Sequence, residues 1–277
     1  MVKNIASELN LRTLYLGTIG VTGLCLVSIG LFRIPTFENP LIFLLMIALA
    51  IAAQLTSTAL IGGSVTVEVS TAISLASAFL FDPFAAGVVA ASALTSLTLL
   101  NLRNSWSGWR PTMERIGFNI GMGSIAMVIA GFAFQFAAAI LGEGTFLGST
   151  LPWLLAAVIN DQINLWLLIG ILHIQSGAAP IDIWNENKWA IPINVMVMSV
   201  GGGILAIAVV QFSFLGIAIF FLPIAKSAYS FRLYVAKTKK QMDFLEDEVA
   251  RRTKDLEEAN KELEDLHKDK NAFLAVL

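Results

Sequence analysis

A small set of carboxyl and amide side chains interrupts the long apolar stretches of this chain. Three of them occur in VINDQINLW, where Asn160 and Asn164 are four residues apart and share a helix face that Asp161 borders. Such groups are costly at membrane depth and usually face the interior of a helix bundle. They therefore indicate a polar pocket for a small ligand or ion. The candidate ligand-binding residues are Asp161, Asn160, Asn164, Asn119 and Glu68, with Asn194 as a further polar residue inside a span.

A structural interpretation competes with this one, because asparagines between membrane helices often only hold the helices together. Asn119 lies in FNIGMGSIAM, where Gly117, Gly121 and Gly123 allow another helix to approach closely. Asp161 is the strongest functional candidate, since a carboxylate at that depth needs a partner or a proton. Glu68 lies at the start of a predicted span.

No other residue pattern indicates chemistry. The sequence has no Ser/His/Asp set, no phosphate-binding loop and no paired carboxylates of a hydrolase. Its one cysteine, Cys25, excludes an internal disulfide, and His173 at the end of a span is expected at the membrane interface. We expect no catalytic residue, no metal site and no cofactor in these 277 residues.

Composition predicts a membrane protein. Hydrophobic residues make up 56% of the chain, charged residues 14%, and the mean hydropathy is +0.75, whereas a soluble domain carries roughly 25% charge. Sixteen of the 38 charges fall in residues 1–225 and the other 22 in residues 226–277. A net charge of −2 does not favour nucleic acid as a partner. An apolar block is thus followed by a charged tail, and the predicted domains are residues 1–228 and 229–277.

A helix that crosses the bilayer needs roughly 20 apolar residues. By this measure the apolar block contains eight candidate membrane spans. They are residues 13–32, 41–62, 66–81, 83–101, 113–141, 151–174, 190–210 and 212–228. Asp82-Pro83 separates the third and fourth, which form either a tight hairpin of short helices or a re-entrant pair. Eight crossings place both termini and nearly all Lys and Arg in the cytoplasm. We expect a multi-pass membrane protein with both termini in the cytoplasm.

The charged tail has the heptad pattern of a coiled coil. Ten of thirteen seam positions from Val235 onward are apolar, and Arg252 and Lys270 interrupt the seam. The predicted partner is a second copy in parallel register, because both copies leave the same membrane face. The predicted dimer seam consists of Met242, Leu245, Val249, Leu256, Leu263, Leu266 and Phe273. The predicted fold is therefore all-α: a polytopic membrane helix bundle followed by a long cytoplasmic parallel coiled coil.

The tail EVARRTKDLEEANKELEDLHKDKNAFLAVL resembles the segment that leads into the dimerisation and phosphotransfer domain of sensor histidine kinases. The matching residues are Arg252-Thr253, Leu256-Glu257, Ala259-Asn260, Leu263-Glu264, Lys270 and Phe273-Leu274-Ala275. In that family Ser-His-Glu normally follows and the histidine is phosphorylated, so we expect this chain to stop just before it. The resemblance implies a kinase that uses ATP and Mg²⁺ and a response regulator as partner, both acting through a domain outside these residues.

The membrane block is similar to multi-span sensor regions that precede HD-GYP, GGDEF and histidine kinase outputs in bacteria. The similar stretches are FLFDPFAAGVVAA, ERIGFNIG and FLPIAKSAYSFRLYV. We therefore expect the sensory input and signal-transmission region of a two-component histidine kinase. The alternatives are the sensor of a cyclic-di-GMP enzyme and a transporter-like protein that binds a small solute. The codons after Leu277 discriminate among these outputs.

Overall fold

The structure, a computed structural model, describes residues 2–56, 59–60, 65–66, 69–101, 108–142 and 145–276. Within these residues the chain is helical apart from two short strands. The helices are α1 (Val2–Arg33), α2 (Pro40–Thr56), α3 (Val69–Leu80), α4 (Pro83–Asn101), α5 (Trp109–Leu141), α6 (Phe146–Ser176), α7 (Pro180–Asn187), α8 (Ile191–Phe212) and α9 (Phe214–Val276). Two compact units result, Met1–Ala228 and Tyr229–Leu277.

The strands β1 (Ala59–Leu60) and β2 (Val65–Thr66) pair antiparallel between α2 and α3. The sequence instead predicted that the second span would continue as helix to residue 62. Gly62 and Gly63 stand between the two strands in the sequence, and glycine pairs favour hairpin turns over helix. The predicted second helix is therefore corrected to end at Thr56.

Helix α3 is the central helix of the first unit. Eight of its twelve residues are buried, and it packs against α2, α4, α5 and α8. Its serines are compatible with this apolar surrounding because Ser74 and Ser77 donate hydrogen bonds to carbonyl oxygens one turn earlier. Ser70 donates to the Gln54 amide oxygen of α2. At about 1.5 Å per residue, α3 is roughly 18 Å long, which is less than the roughly 30 Å hydrocarbon core.

Glycines bring α1 and α5 into close backbone contact. A Cβ atom on Gly121 would overlap the backbone of Ile19, and one on Gly23 would overlap the backbone of Gly121. The close approach that the sequence predicted around Gly121 is therefore confirmed, with α1 as the approaching helix. Small residues at such crossings are typical of membrane bundles, where packing rather than water exclusion holds helices together.

Ion pairs lie near the ends of α1. Arg33, at its C-terminal end, pairs with Asp82 at 3.2 Å, and the second Asp82 oxygen accepts a 2.8 Å hydrogen bond from the Ala85 amide at the start of α4. Near the other end, Arg12 and Arg110 both pair with Glu114 of α5, at 3.0 and 3.2 Å.

Four segments of the described chain are long and apolar enough to cross a membrane: Leu11–Thr36, Trp109–Leu141, Phe146–Ser176 and Pro180–Phe212. Three shorter apolar helices accompany them, and large apolar side chains such as Phe32, Phe136 and Phe146 point outward. An apolar exterior of this kind suits lipid rather than water. The chain is therefore a helical membrane protein, while the eight crossings stay a prediction.

Two interruptions divide the last apolar helices. A 3-10 turn, Lys188–Ala190, joins α7 to α8, and Ser213, with a φ angle of 52°, separates α8 from α9. The sequence placed a boundary at residues 211–213 but did not predict α7. Beyond residue 228, the second unit consists of the remainder of α9, where Glu248 pairs with Arg251 and Arg252.

The contact between α1 and α5 yields a matched pair of variants. Gly121→Ala should lower the free energy of unfolding by about 1–3 kcal/mol, because the new methyl group forces the two helices apart. Gly17→Ala, on the same helix pair, has no atom within 4 Å of its new Cβ and should be neutral or slightly stabilising. Thermal unfolding in lipid nanodiscs measures both, and equal effects would contradict the close contact.

Candidate ligand-binding site

A polar cavity of about 200 Å³ lies among α3, α4, α5, α6, α7 and α8. It is open to the outside on part of its surface and combines an apolar wall with a cluster of carboxyl and amide groups. Its lining residues are Thr71, Leu94, Met122, Asn160, Asp161, Asn164, Leu165, Leu168, Asn187, Ala190, Ile191, Asn194 and Met198. Pockets of this kind, mostly apolar with a few convergent polar groups, are typical of small-molecule sites.

Asp161 is the central residue of α6, a helix of 31 residues. At about 1.5 Å per residue, it lies roughly 23 Å from either end of that helix. Asn194 of α8 donates a hydrogen bond to one carboxylate oxygen at 3.3 Å, and Gln162 reaches the other at 3.5 Å. Both contacts are long, so the protein solvates this carboxylate only weakly.

Three amide oxygens beside Asp161 are buried without a hydrogen-bond partner. They belong to Asn160, Asn164 and Asn194. Asn160 is only 1% exposed, so water at the protein surface does not satisfy it. Each unsatisfied buried group of this kind costs about 1–3 kcal/mol of stability. Three unpaired amide oxygens in one place are therefore a feature that stability alone does not explain.

The described residues that line the cavity include no Lys, Arg or His to neutralise Asp161. Arg12 and Arg110 pair with Glu114, and Arg33 pairs with Asp82. Lys188, next to the lining residue Asn187, donates a hydrogen bond to the Asn185 side-chain oxygen at 2.8 Å. Helix α8 begins at the cavity wall with Ile191, and a helix N-terminus offsets at most about half a unit of negative charge. The cavity therefore keeps a net negative character.

Helix geometry explains how the polar groups converge. Asn160, Asp161 and Asn164 of α6 lie on the face that lines the cavity, as the sequence predicted from their spacing. The opposite wall is the junction of α7 and α8, where the 3-10 turn places Asn187 and Asn194 beside the cavity. Sequence reasoning missed Asn187, because the apolar pattern around Trp184 and Trp189 did not indicate a helix there.

Of the other predicted site residues, Asn119 lies outside the cavity lining. The Asn119 amide donates hydrogen bonds to the Thr98 hydroxyl, at 2.7 Å, and to the Leu94 carbonyl oxygen, at 3.3 Å. It thus connects α5 to α4 and does not line the cavity, so the structural interpretation describes it better. Glu68 lies outside the described residues.

Asp161 is the one ionisable side chain among the described residues of the lining, which suits binding rather than bond-breaking chemistry. In the part of the chain that the structure describes, no three His, Cys, Asp or Glu side chains gather as a metal cluster. His173 instead contacts the Ala178 carbonyl oxygen at 2.8 Å, near the end of α6.

Comparison of the chain with protein-family models, with curated proteins and with solved structures finds no match. The cavity and the heptad pattern of the tail are therefore the features that indicate a function.

Truncation to alanine should change the free energy of unfolding differently at two asparagines of the bundle. Asn119→Ala removes two hydrogen bonds and should lower the free energy of unfolding by about 1–2 kcal/mol. Asn160→Ala removes a buried amide whose oxygen has no partner, so stability should stay within about 0.5 kcal/mol or rise. Thermal unfolding in the same nanodiscs measures the difference. A larger loss for Asn160→Ala would show that its amide is structural.

Proposed function

We propose that this chain is the transmembrane input and signal-transmission region of a sensor protein, with a two-component histidine kinase as its output. The observation that carries the sensory role is the cavity at the centre of α6, where one carboxylate and three amide oxygens without partners face a space of ligand size. Polar groups retained at membrane depth at the expense of stability are typical of functional sites.

The exposed apolar side chains of α9 support a dimeric coiled coil that carries the signal to the output. Five residues of the predicted seam are more than half exposed in the single chain: Met242, Leu245, Val249, Leu256 and Leu263. Apolar side chains repeated at heptad spacing favour pairing with a second helix, because pairing removes them from water. The side chains of Leu266 and Phe273 lie outside those that the structure describes. A parallel homodimer accounts for this exposed stripe.

The kinase assignment is supported by the tail motif, in which Lys270 and Phe273-Leu274-Ala275 follow the coil at the spacing seen before the phosphotransfer domain of sensor histidine kinases. In the proposed mechanism, a ligand in the cavity favours one of two packing arrangements of α6 and α8. The altered packing shifts the dimeric coil between two states that bias the kinase. The proposed localisation is the bacterial inner membrane with both termini cytoplasmic.

A second candidate function is transport of a small solute. The 3-10 interruption between α7 and α8 lies beside the cavity, and interrupted helices form the substrate sites of many transporters. Uptake of solute into proteoliposomes separates this candidate from a sensor, which binds its ligand without moving it across the bilayer.

Disulfide crosslinking in membranes tests the sensor proposal. In a Cys25→Ser background, which removes the exposed native thiol, Leu256→Cys should crosslink to its own copy much faster than Glu258→Cys on the outer face. Adding Asp161→Asn should change the Leu256→Cys rate several-fold, because it alters the cavity that biases the coil. Adding Asp182→Asn, an exposed carboxylate outside the cavity, should not.

Equal rates at Leu256→Cys and Glu258→Cys would overturn the parallel dimer. An unchanged rate in Asp161→Asn, with normal insertion into the membrane, would overturn the relay from cavity to coil.

A further inference from the structure

We infer that the cavity beside Asp161 binds a small monovalent cation through oxygen atoms. This inference rests on the proposed sensory role and names the chemical class of its ligand. An alkali metal ion and an ammonium group both meet this description, because each is a compact group with a single positive charge. The ligands we assign are the Asp161 carboxylate and the amide oxygens of Asn160, Asn164 and Asn194.

The inventory of hydrogen-bonding atoms points to a positively charged or donor-rich ligand. The Asn160, Asn164 and Asn194 oxygens have no donor, and the Asp161 carboxylate has only two long contacts. The cavity therefore presents three unpaired amide oxygens and one weakly paired carboxylate as acceptors. Carboxylate and carbonyl oxygens are the ligands that hard cations prefer, and the same atoms accept the N–H groups of an ammonium ion.

The charge of the described wall favours a monovalent ion. Among the cavity-lining residues that the structure describes, Asp161 is the only ionisable one, and a charge in apolar surroundings is costly unless it is balanced. One positive charge balances one carboxylate, whereas a divalent ion would leave an excess of one. An anion is disfavoured for the same reason, since the described part of the wall carries no basic residue.

Protonation of Asp161 would account for only part of the unpaired polar groups in the cavity. It would remove the charge, but its one O–H group could satisfy one of the three unpaired amide oxygens. The other two would stay without a hydrogen-bond donor from the protein. A metal ion or an ammonium group can engage several oxygens at once. The terminal amide torsion of asparagine is broad, so these oxygens can turn toward a bound ion without a change of backbone.

Thermal unfolding of the full chain in nanodiscs tests the inference, with choline chloride exchanged for sodium, potassium, ammonium or methylammonium chloride at constant ionic strength. Choline is the reference because its bulk does not suit a cluster of close oxygens. A bound cation should raise the unfolding midpoint by about 5 °C at a concentration roughly 100-fold above its dissociation constant. A rise with sodium or potassium assigns a metal ion, and a rise only with ammonium or methylammonium assigns an amine.

The Asp161→Asn variant should lose the whole cation-dependent rise, while Asp182→Asn should keep it. If Asp161→Asn fails to assemble, Asn164→Leu provides the second readout. That variant retains the carboxylate, and the cation concentration that gives half of the rise should increase at least tenfold.

No rise with any of the four cations overturns the inference, and so does a rise that Asp161→Asn and Asn164→Leu both retain. These outcomes are separate from those of the crosslinking experiment. A crosslinking response to Asp161→Asn without a cation effect would keep the sensor and reject the cation. A cation effect without a crosslinking response would keep the site and reject its coupling to the coil.

Discussion

A carboxylate in the middle of a long apolar helix is costly unless a donor, a cation or water stabilises its charge. Asp161 is in that position in α6. The helices around it supply one amide donor at 3.3 Å from α8 but no basic side chain. This incomplete solvation distinguishes Asp161 from Asp82 and Glu114, which have arginine partners.

The remainder of the first unit is arranged so that the cavity has rigid walls. Helix α3 is short, and eight of its twelve residues are buried. Helix α8 packs against it so closely that a Cβ on Gly202 would lie 3.0 Å from the Ala72 carbonyl oxygen. Glycine contacts fix α1 against α5, and the Asn119 hydrogen bonds fix α5 against α4. Among the described residues that line the cavity, only the 3-10 turn between α7 and α8 departs from regular α-helix. A ligand that bridges α6 and α8 would act on that part of the wall.

Much of the helical framework could be predicted from the sequence, because a crossing helix requires a long apolar run and Pro or polar breaks mark its ends. The boundaries at Asp82-Pro83 and near Ser213 are examples. The spacing of Asn160 and Asn164 likewise predicted their shared face. The sequence could not separate Asn119 from the cavity residues. In lipid both faces of a helix are apolar, so periodicity does not reveal which face turns toward which neighbour. Asn187 and the strands β1 and β2 were missed because short elements without a strong local pattern form through their tertiary contacts.

The charge state of Asp161 tests the account most directly. Infrared difference spectra of the wild type minus Asp161→Asn, recorded in nanodiscs with sodium, potassium and ammonium present, isolate the vibrations of this one side chain. The account predicts the paired stretching bands of an ionised carboxylate, shifted when choline replaces the three cations. A carboxylic-acid carbonyl band that is indifferent to the cations would show a neutral side chain, and would contradict both the negative cavity and the cation that it is proposed to bind.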